Sequence, residues 1–201
     1  MSGFLKRFLV LLALAACTAG AILLWCSPDP LYTVQAWSCG SRFWDYDTLI
    51  TDMARKHGLD PMLIKALVWR ESAFQADKVG TSGERGLMQV GEAAAKDWAQ
   101  AQKIETFVPT DLFDPKTNLD VGAWYLKKAL DRWKAKADPL PFALAEYNAG
   151  RTRVERWVLE TDLGDKATAE DLMAAMDFRT TRRYIEDINR RYRIYQARGR
   201  L

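Results

Sequence analysis

Glu71 is the side chain in this sequence whose surroundings most favour proton-transfer chemistry. Counting back three, four, seven and eight positions gives Val68, Leu67, Ile64 and Leu63. On a helix those positions share one face, so the carboxyl continues an apolar stripe. Desolvation there penalises the charged form and raises the pKa. A carboxyl held protonated near neutral pH is what a general acid requires. The same position also suits a structural partner for an arginine. Asp60 followed by Pro61 reads as an N-cap and a first helical residue. Glu71 then lies about three turns from that helix start, too far for the positive dipole end to oppose the shift.

Beyond Glu71 the chain runs Glu71-Ser72-Ala73-Phe74, then Gly80-Thr81-Ser82-Gly83-Glu84-Arg85-Gly86-Leu87-Met88-Gln89. The glycine-rich part has no phosphate-loop lysine in the required place, so it does not read as a nucleotide site. Its glycines suit tight turns and close backbone approach. In order and spacing these residues resemble the lytic transglycosylases of the SLT type, relatives of goose-type lysozyme. That family carries a Glu-Ser pair, an aromatic two residues later and a glycine loop ending in Gly-Leu-Met-Gln. Asp114-Pro115-Lys116-Thr117-Asn118, with Gly122 and Tyr125-Leu126, resembles its second motif, and Tyr147-Asn148-Ala149-Gly150 its third. The resemblance covers roughly residues 45 to 197.

The resemblance implies that Glu71 is the catalytic acid and base of a peptidoglycan lytic transglycosylase. Such an enzyme cleaves the β-1,4 bond between N-acetylmuramic acid and N-acetylglucosamine. The substrate's N-acetyl group assists, and the same glutamate then takes the proton of the muramic 6-hydroxyl, leaving a 1,6-anhydro end. Ser72, Met88, Gln89, Tyr147 and Asn148 are the substrate-binding residues the resemblance implies. No cofactor and no metal are expected. Two other functions stay open, a hydrolytic muramidase on the same fold, in which Glu146 or another acid activates water, and a non-catalytic peptidoglycan-binding module. Asn118 is expected to cap its helix, and Trp69, Trp98 and Trp124 are candidates for stacking on sugar rings or for core.

Three positions depart from the family pattern. Gly80 stands where a serine is common, and Glu146 where alanine usually precedes the tyrosine; in Phe178-Arg179-Thr180-Thr181-Arg182-Arg183-Tyr184, Thr180 takes the place of the acid in the family's Phe-x-Glu-Thr-Arg-x-Tyr pattern. Glu146 is next to Tyr147, so on a helix the two side chains diverge by ~100°. It therefore reads as a charge turned towards solvent or a neighbouring arginine, leaving Glu71 without a second carboxylate partner.

These residues need a helical frame. With 201 residues, 49% hydrophobic and 27% charged, the chain can bury one core. A net charge of +3 does not argue for nucleic acid. One histidine and three cysteines, two of them in the N-terminal apolar segment, leave no zinc site. His57 before Gly58 reads as a helix C-terminal residue rather than part of a Ser-His-Asp arrangement. Helical spacing predicts segments over Asp45 to His57, from Pro61 through Glu71, and over Glu92 to Gln102. Further segments follow from Asn118 to Ala137, Phe142 to Ala149, Arg151 to Leu159, Thr168 to Met176 and Thr180 to Ala197. In the last, Tyr184, Ile188, Tyr192 and Tyr195 form a stripe with the arginines opposite. The fold class is mostly α, a single domain over residues 43–201, of the lysozyme-like architecture the resemblance implies.

Residues 1–26 read as a membrane anchor or a signal or lipoprotein segment. Lys6 and Arg7 precede an uncharged run from Phe8 to Cys26, 19 residues against the ~20 that span a bilayer. Positive charge before the run favours a cytoplasmic N-terminus and an exported domain. Leu14-Ala15-Ala16-Cys17 resembles a bacterial lipobox, but the chain stays apolar beyond Cys17, which favours an uncleaved anchor. Residues 27–42 read as a tether. The expected location is the cell envelope, with the domain in the periplasm or otherwise outside the cytoplasmic membrane, and the expected partners are glycan strands and the membrane.

Overall fold

A computed structural model describes residues 3–26 and 30–199. They fall into two units, one up to Phe43 and one from Trp44 onward.

The first unit is helical. Helix α1, Gly3–Cys26, is long and apolar enough to cross a membrane, with the apolar window Leu5–Ile22 and exposed side chains throughout it. Helix α2 spans Pro30–Cys39. This helix lies within the residues 27–42 read as a tether, of which 27–29 fall outside the described residues, and Pro30 stands at its first helical position. A missing N–H and a fixed φ suit that position rather than break it.

A single turn, α3 (Arg42–Asp45), runs across the division between the units, and α4 (Asp47–His57) follows in the second. Gly58 ends α4 in the left-handed region (φ 65°), where only glycine avoids a Cβ penalty. His57 also bonds Asp120 at 2.6 Å, tying the end of α4 to the later helix α7 (Pro115–Arg132). Helix α5, Pro61–Ser72, starts as expected: the Asp60 carboxylate accepts from the Met62 N–H at 2.8 Å. Leu63, Ile64, Ala66, Leu67 and Val68 are all buried, so α5 is apolar nearly all round and runs through the core. Lys65 is buried there too, its ammonium 2.6 Å from Asp47 and 4.7 Å from the Trp44 ring.

After the glycine loop come α6 (Glu92–Ala101), a 3-10 turn at Pro109–Phe113, and α7. Asp114 caps α7 by accepting from Thr117 N–H at 2.8 Å. The helix ends at Arg132, short of the expected Ala137, because Trp133–Lys136 forms a turn that sends the Trp133 indole to Glu146. Helices α8 (Leu140–Ala149), α9 (Arg151–Glu160), α10 (Ala169–Ala175) and α11 (Arg179–Arg198) complete the unit. Among the described residues there are only isolated bridges, Val79 to Arg85 and Arg85 to Val90, and no named strand.

Helix α11 packs along α5 and also meets α8. Tyr184, Ile188 and Tyr195 are buried as the stripe predicts, and Tyr192 reaches Asp60 through its hydroxyl at 2.7 Å. The arginines do not all lie opposite. Arg191 is buried with its guanidinium 4.2 Å from the Trp69 ring centroid, a cation–π contact that offsets the burial of a charge.

Candidate active site

Glu71 is the penultimate residue of α5, and the chain turns away immediately after it. Ala73 (φ 50°) and Phe74 (φ 63°) both take left-handed backbone, an arrangement that costs of order 1–3 kcal/mol for each such residue. Burial of the Phe74 ring and the Lys78 ammonium on the Glu71 backbone carbonyl hold that turn. The strain releases the chain into the glycine loop and leaves the Glu71 carboxyl at the end of the helix, facing a cleft.

The cleft measures about 400 Å3. Arg70, Glu71, Lys78, Gln89, Tyr147 and Asn148 are on its walls, with Gly80, Thr81 and Glu84 along the loop side. The Glu71 carboxyl accepts a hydrogen bond from the Tyr184 hydroxyl of α11. Burial pushes the Glu71 pKa up to about 7, against the lowering pull of the Tyr184 hydroxyl, Arg70 and Lys78; the Glu84 charge adds to the rise. Desolvation therefore wins, as the apolar stripe predicts, and the group carries a proton up to neutral pH. Burial, reinforced by the Glu71 charge, also raises the Tyr147 and Tyr184 hydroxyls well above the ordinary tyrosine value. Both phenols stay protonated and act as donors.

The other sequence-predicted residues divide into two groups. Gln89, Tyr147 and Asn148 line the cleft with Glu71. Gln89 holds left-handed backbone (φ 47°), and its amide donates to the carbonyls of Lys78 (3.1 Å) and Gly86 (2.9 Å). The Tyr147 hydroxyl donates to the Met88 carbonyl at 3.0 Å, and Asn148 accepts from Thr181 at 2.9 Å. Ser72 and Met88 are fully buried instead. The Ser72 hydroxyl bonds the Val68 carbonyl one turn back at 3.2 Å. Met88 packs so closely on Gly122 that a Cβ there would lie 2.4 Å from its sulfur.

Asn118 does not cap α7, a role Asp114 fills. It is buried under the loop, where its amide donates to the carbonyls of Arg85 (2.7 Å) and Leu112 (2.8 Å) and its oxygen accepts from Met88 N–H at 2.7 Å. Gly86 (φ 77°) is required by the same brace, since a Cβ there would come within 2.2 Å of the Asn118 amide. Trp98 is buried, Trp69 lies under Arg191, and Trp124 carries Lys128 at 4.7 Å; none of the three lines this cleft.

Glu146 is not a solvated charge. It is buried, paired with Arg132 and accepting from the Trp133 indole at 2.8 Å. Of the two directions that helix geometry leaves open, solvent or a neighbouring arginine, it takes the arginine, in a buried setting that the sequence does not indicate. The sequence marks Tyr184 as a stripe residue and as the tyrosine of the last motif, but not as a partner of Glu71, and it does not single out Arg70, Lys78 or Glu84. For Tyr184 the signal was its place on the α11 stripe, but its contact with Glu71 joins residues 113 positions apart.

The family model described as Transglycosylase SLT domain matches residues 48–169, more than half of the chain. A membrane-bound lytic murein transglycosylase F from Desulfosudis oleivorans is 35% identical over 105 residues, 51% of this chain and 21% of that protein. A soluble lytic murein transglycosylase from Salmonella typhimurium is 28% identical over 169 residues, 78% of this chain and 25% of that protein. Among solved structures, an inactive mutant of the lytic transglycosylase Slt from Pseudomonas aeruginosa superposes with a TM-score of 0.66 at 26% identity. That match covers 77% of this chain and 24% of that one. The chain thus spans about a quarter or less of the length of each of these three. The match covers Glu71, the glycine loop and the Tyr147-Asn148 pair together, and the chain belongs to the SLT transglycosylase family.

Proposed function

We propose that this protein is a membrane-anchored lytic transglycosylase that cleaves peptidoglycan strands between N-acetylmuramic acid and N-acetylglucosamine. The observation that carries the reading is Glu71 itself, a carboxyl raised to about 7 in a cleft of about 400 Å3. Cleavage starts when protonated Glu71 gives its proton to the glycosidic oxygen as the bond to the anomeric carbon breaks. The substrate's N-acetyl oxygen covers the positive charge that builds on that carbon. Glu71, now a carboxylate, takes the proton of the muramic 6-hydroxyl, whose oxygen closes onto the anomeric carbon. The proton balance is restored, water is not consumed, and the product is a 1,6-anhydro end. The Tyr184 hydroxyl, already donating to Glu71, steadies the carboxylate between the two transfers. Tyr147, Gln89 and Asn148 line the cleft beside Glu71, which supports the substrate-binding role we assign to them.

Glu146 does not favour the hydrolytic alternative, because Arg132 and Trp133 occupy its carboxylate. The non-catalytic alternative leaves the raised pKa of Glu71 without a use. Anchoring rests on α1, which we read as an uncleaved span that keeps the N-terminus in the cytoplasm and the domain outside the cytoplasmic membrane. Cys17 is exposed on that helix and is the lipidation point if the segment is processed instead.

The test is release of soluble fragments from purified sacculi. The parent should release them and Glu71→Gln should lose at least ~10²-fold in rate, the low end for general acid catalysis. A variant with near-parental rate would overturn the assignment. Retention in a high-salt-washed membrane fraction with the N-terminus intact supports the span, whereas a diacylated chain beginning at Cys17 would replace it.

A further inference from the structure

Beyond the catalytic space the cleft opens into a second lobe of about 250 Å3. Glu84, Gln89 and Tyr147 line both spaces, so they form the waist between them. The far side of the lobe is Tyr125 together with the small residues Ala93 and Ala94. Glu84 is its only charged lining residue among those described.

Gly80 gives Glu84 its place. A Cβ at position 80 would fall 2.4 Å from Glu84 Oε2 and 2.9 Å from Gln89 Oε1, so any side chain there would push the carboxylate out. Oε2 accepts from the Ser82 N–H at 3.1 Å. Among the described residues Oε1 accepts no hydrogen bond, and the carboxylate has no ion pair. The two cations of the catalytic space are engaged elsewhere: Arg70 lies 3.4 Å from Asp187, and Lys78 donates to the Glu71 backbone carbonyl. The rings of Tyr125 and Tyr147 meet edge to face with centroids 5.6 Å apart, so the lobe has aromatic walls next to its one charge. A carboxylate with a spare oxygen beside aromatic faces, in a lobe whose own described lining carries no Lys or Arg, is the chemistry that recognises an ammonium group.

We infer that this lobe is a subsite for a protonated primary amine, with Glu84 as its counter-ion and specificity-determining residue. The inference rests on the function proposed above and names what the cleft selects along the strand. An N-acetylated sugar brings only neutral donors, for which a charged acceptor has less to add. Two parts of a peptidoglycan strand can bring the charge. One is a glucosamine residue that has lost its acetyl group, and the other is the side-chain amine of a diamino acid in the stem peptide.

The experiment uses the full chain in detergent at pH 6, with binding read by calorimetry. One arm compares the glucosamine tetramer with the fully N-acetylated tetramer. The other compares a disaccharide-peptide bearing a free diamino-acid amine with the same compound acetylated at that amine. The parent should bind the amine form about tenfold more tightly in at least one arm, which identifies the source. Glu84→Gln, of the same shape without the charge, should reduce that ratio to near one. Equal binding by the parent in both arms overturns the inference, and so does a preference that survives in Glu84→Gln. Sacculus digestion by the parent separates the two levels: a parent that digests sacculi without an amine preference refutes only this subsite, whereas one that leaves sacculi intact refutes the function beneath it.

Discussion

Replacing Glu71 by glutamine should make the protein more stable as well as inactive, and the gain should depend on pH. In the folded chain burial raises the Glu71 pKa from 4.5 to about 7. The folded state therefore holds a proton on this group across that window, while the unfolded chain has already released it. Where the folded state binds more protons, stability falls as pH rises. Below about pH 4.5 both states are protonated and the residue carries no charge penalty; above about 7 the fold bears the full cost of a desolvated carboxylate. At ~1.4 kcal/mol per pKa unit the shift is worth about 3 kcal/mol, a ceiling because one edge of the side chain meets the solvent of the cleft. Glutamine does not titrate, and its amide oxygen can still accept from Tyr184. Urea unfolding of parent and Glu71→Gln at pH 4.5 and pH 8.5 checks this. The two should match at the lower pH and differ by about 2–3 kcal/mol in favour of the variant at the higher one. A constant difference across the range, or a variant less stable at pH 8.5, would refute a desolvated catalytic acid.

Tyr184→Phe removes a hydrogen bond that lowers the Glu71 pKa, so the alkaline limb of the kcat/KM profile should move to higher pH. An unmoved limb would show that the contact does not act on the acid. Glu146→Ala leaves the Arg132 guanidinium and the Trp133 indole without their shared acceptor, and unfolding should be easier by about 3–5 kcal/mol. The products released by whatever fraction stays folded should be those of the parent, checked by chromatography of the digest. Gly86→Ala sets a methyl group against the Asn118 amide and the Leu112 carbonyl while forcing a left-handed backbone. It should both lower the melting temperature and slow sacculus digestion.

Local rules made the frame legible. The Asp60-Pro61 start, the Gly58 stop and the apolar stripe under Glu71 all appear in the structure where spacing puts them. Desolvation of Glu71 was also readable, because it follows from which residues share its helix face. What was not readable depends on pairs far apart in the chain. Tyr184 looked like one more buried aromatic, and only the packing of α11 along α5 brings its hydroxyl to Glu71. Glu146 shows the same limit: its direction follows from helix geometry, whereas its burial depends on the turn after α7 that delivers Trp133. Asn118 could have capped a helix by composition, but a carboxylate four residues earlier does so, which frees the amide to hold the glycine loop. In the N-terminal unit Pro30 opens α2, since a proline that would break a helix interior suits its first position.

The proposed reaction is an elimination without water, and the oxygen at the new chain end records it. Purified sacculi digested by the parent in heavy-oxygen water, with the released muropeptides analysed by mass spectrometry, test it most directly. The expected products are 1,6-anhydromuramic ends carrying no heavy oxygen, formed only when Glu71 is intact. Reducing muramic ends labelled from the solvent would contradict it and make the protein a hydrolase.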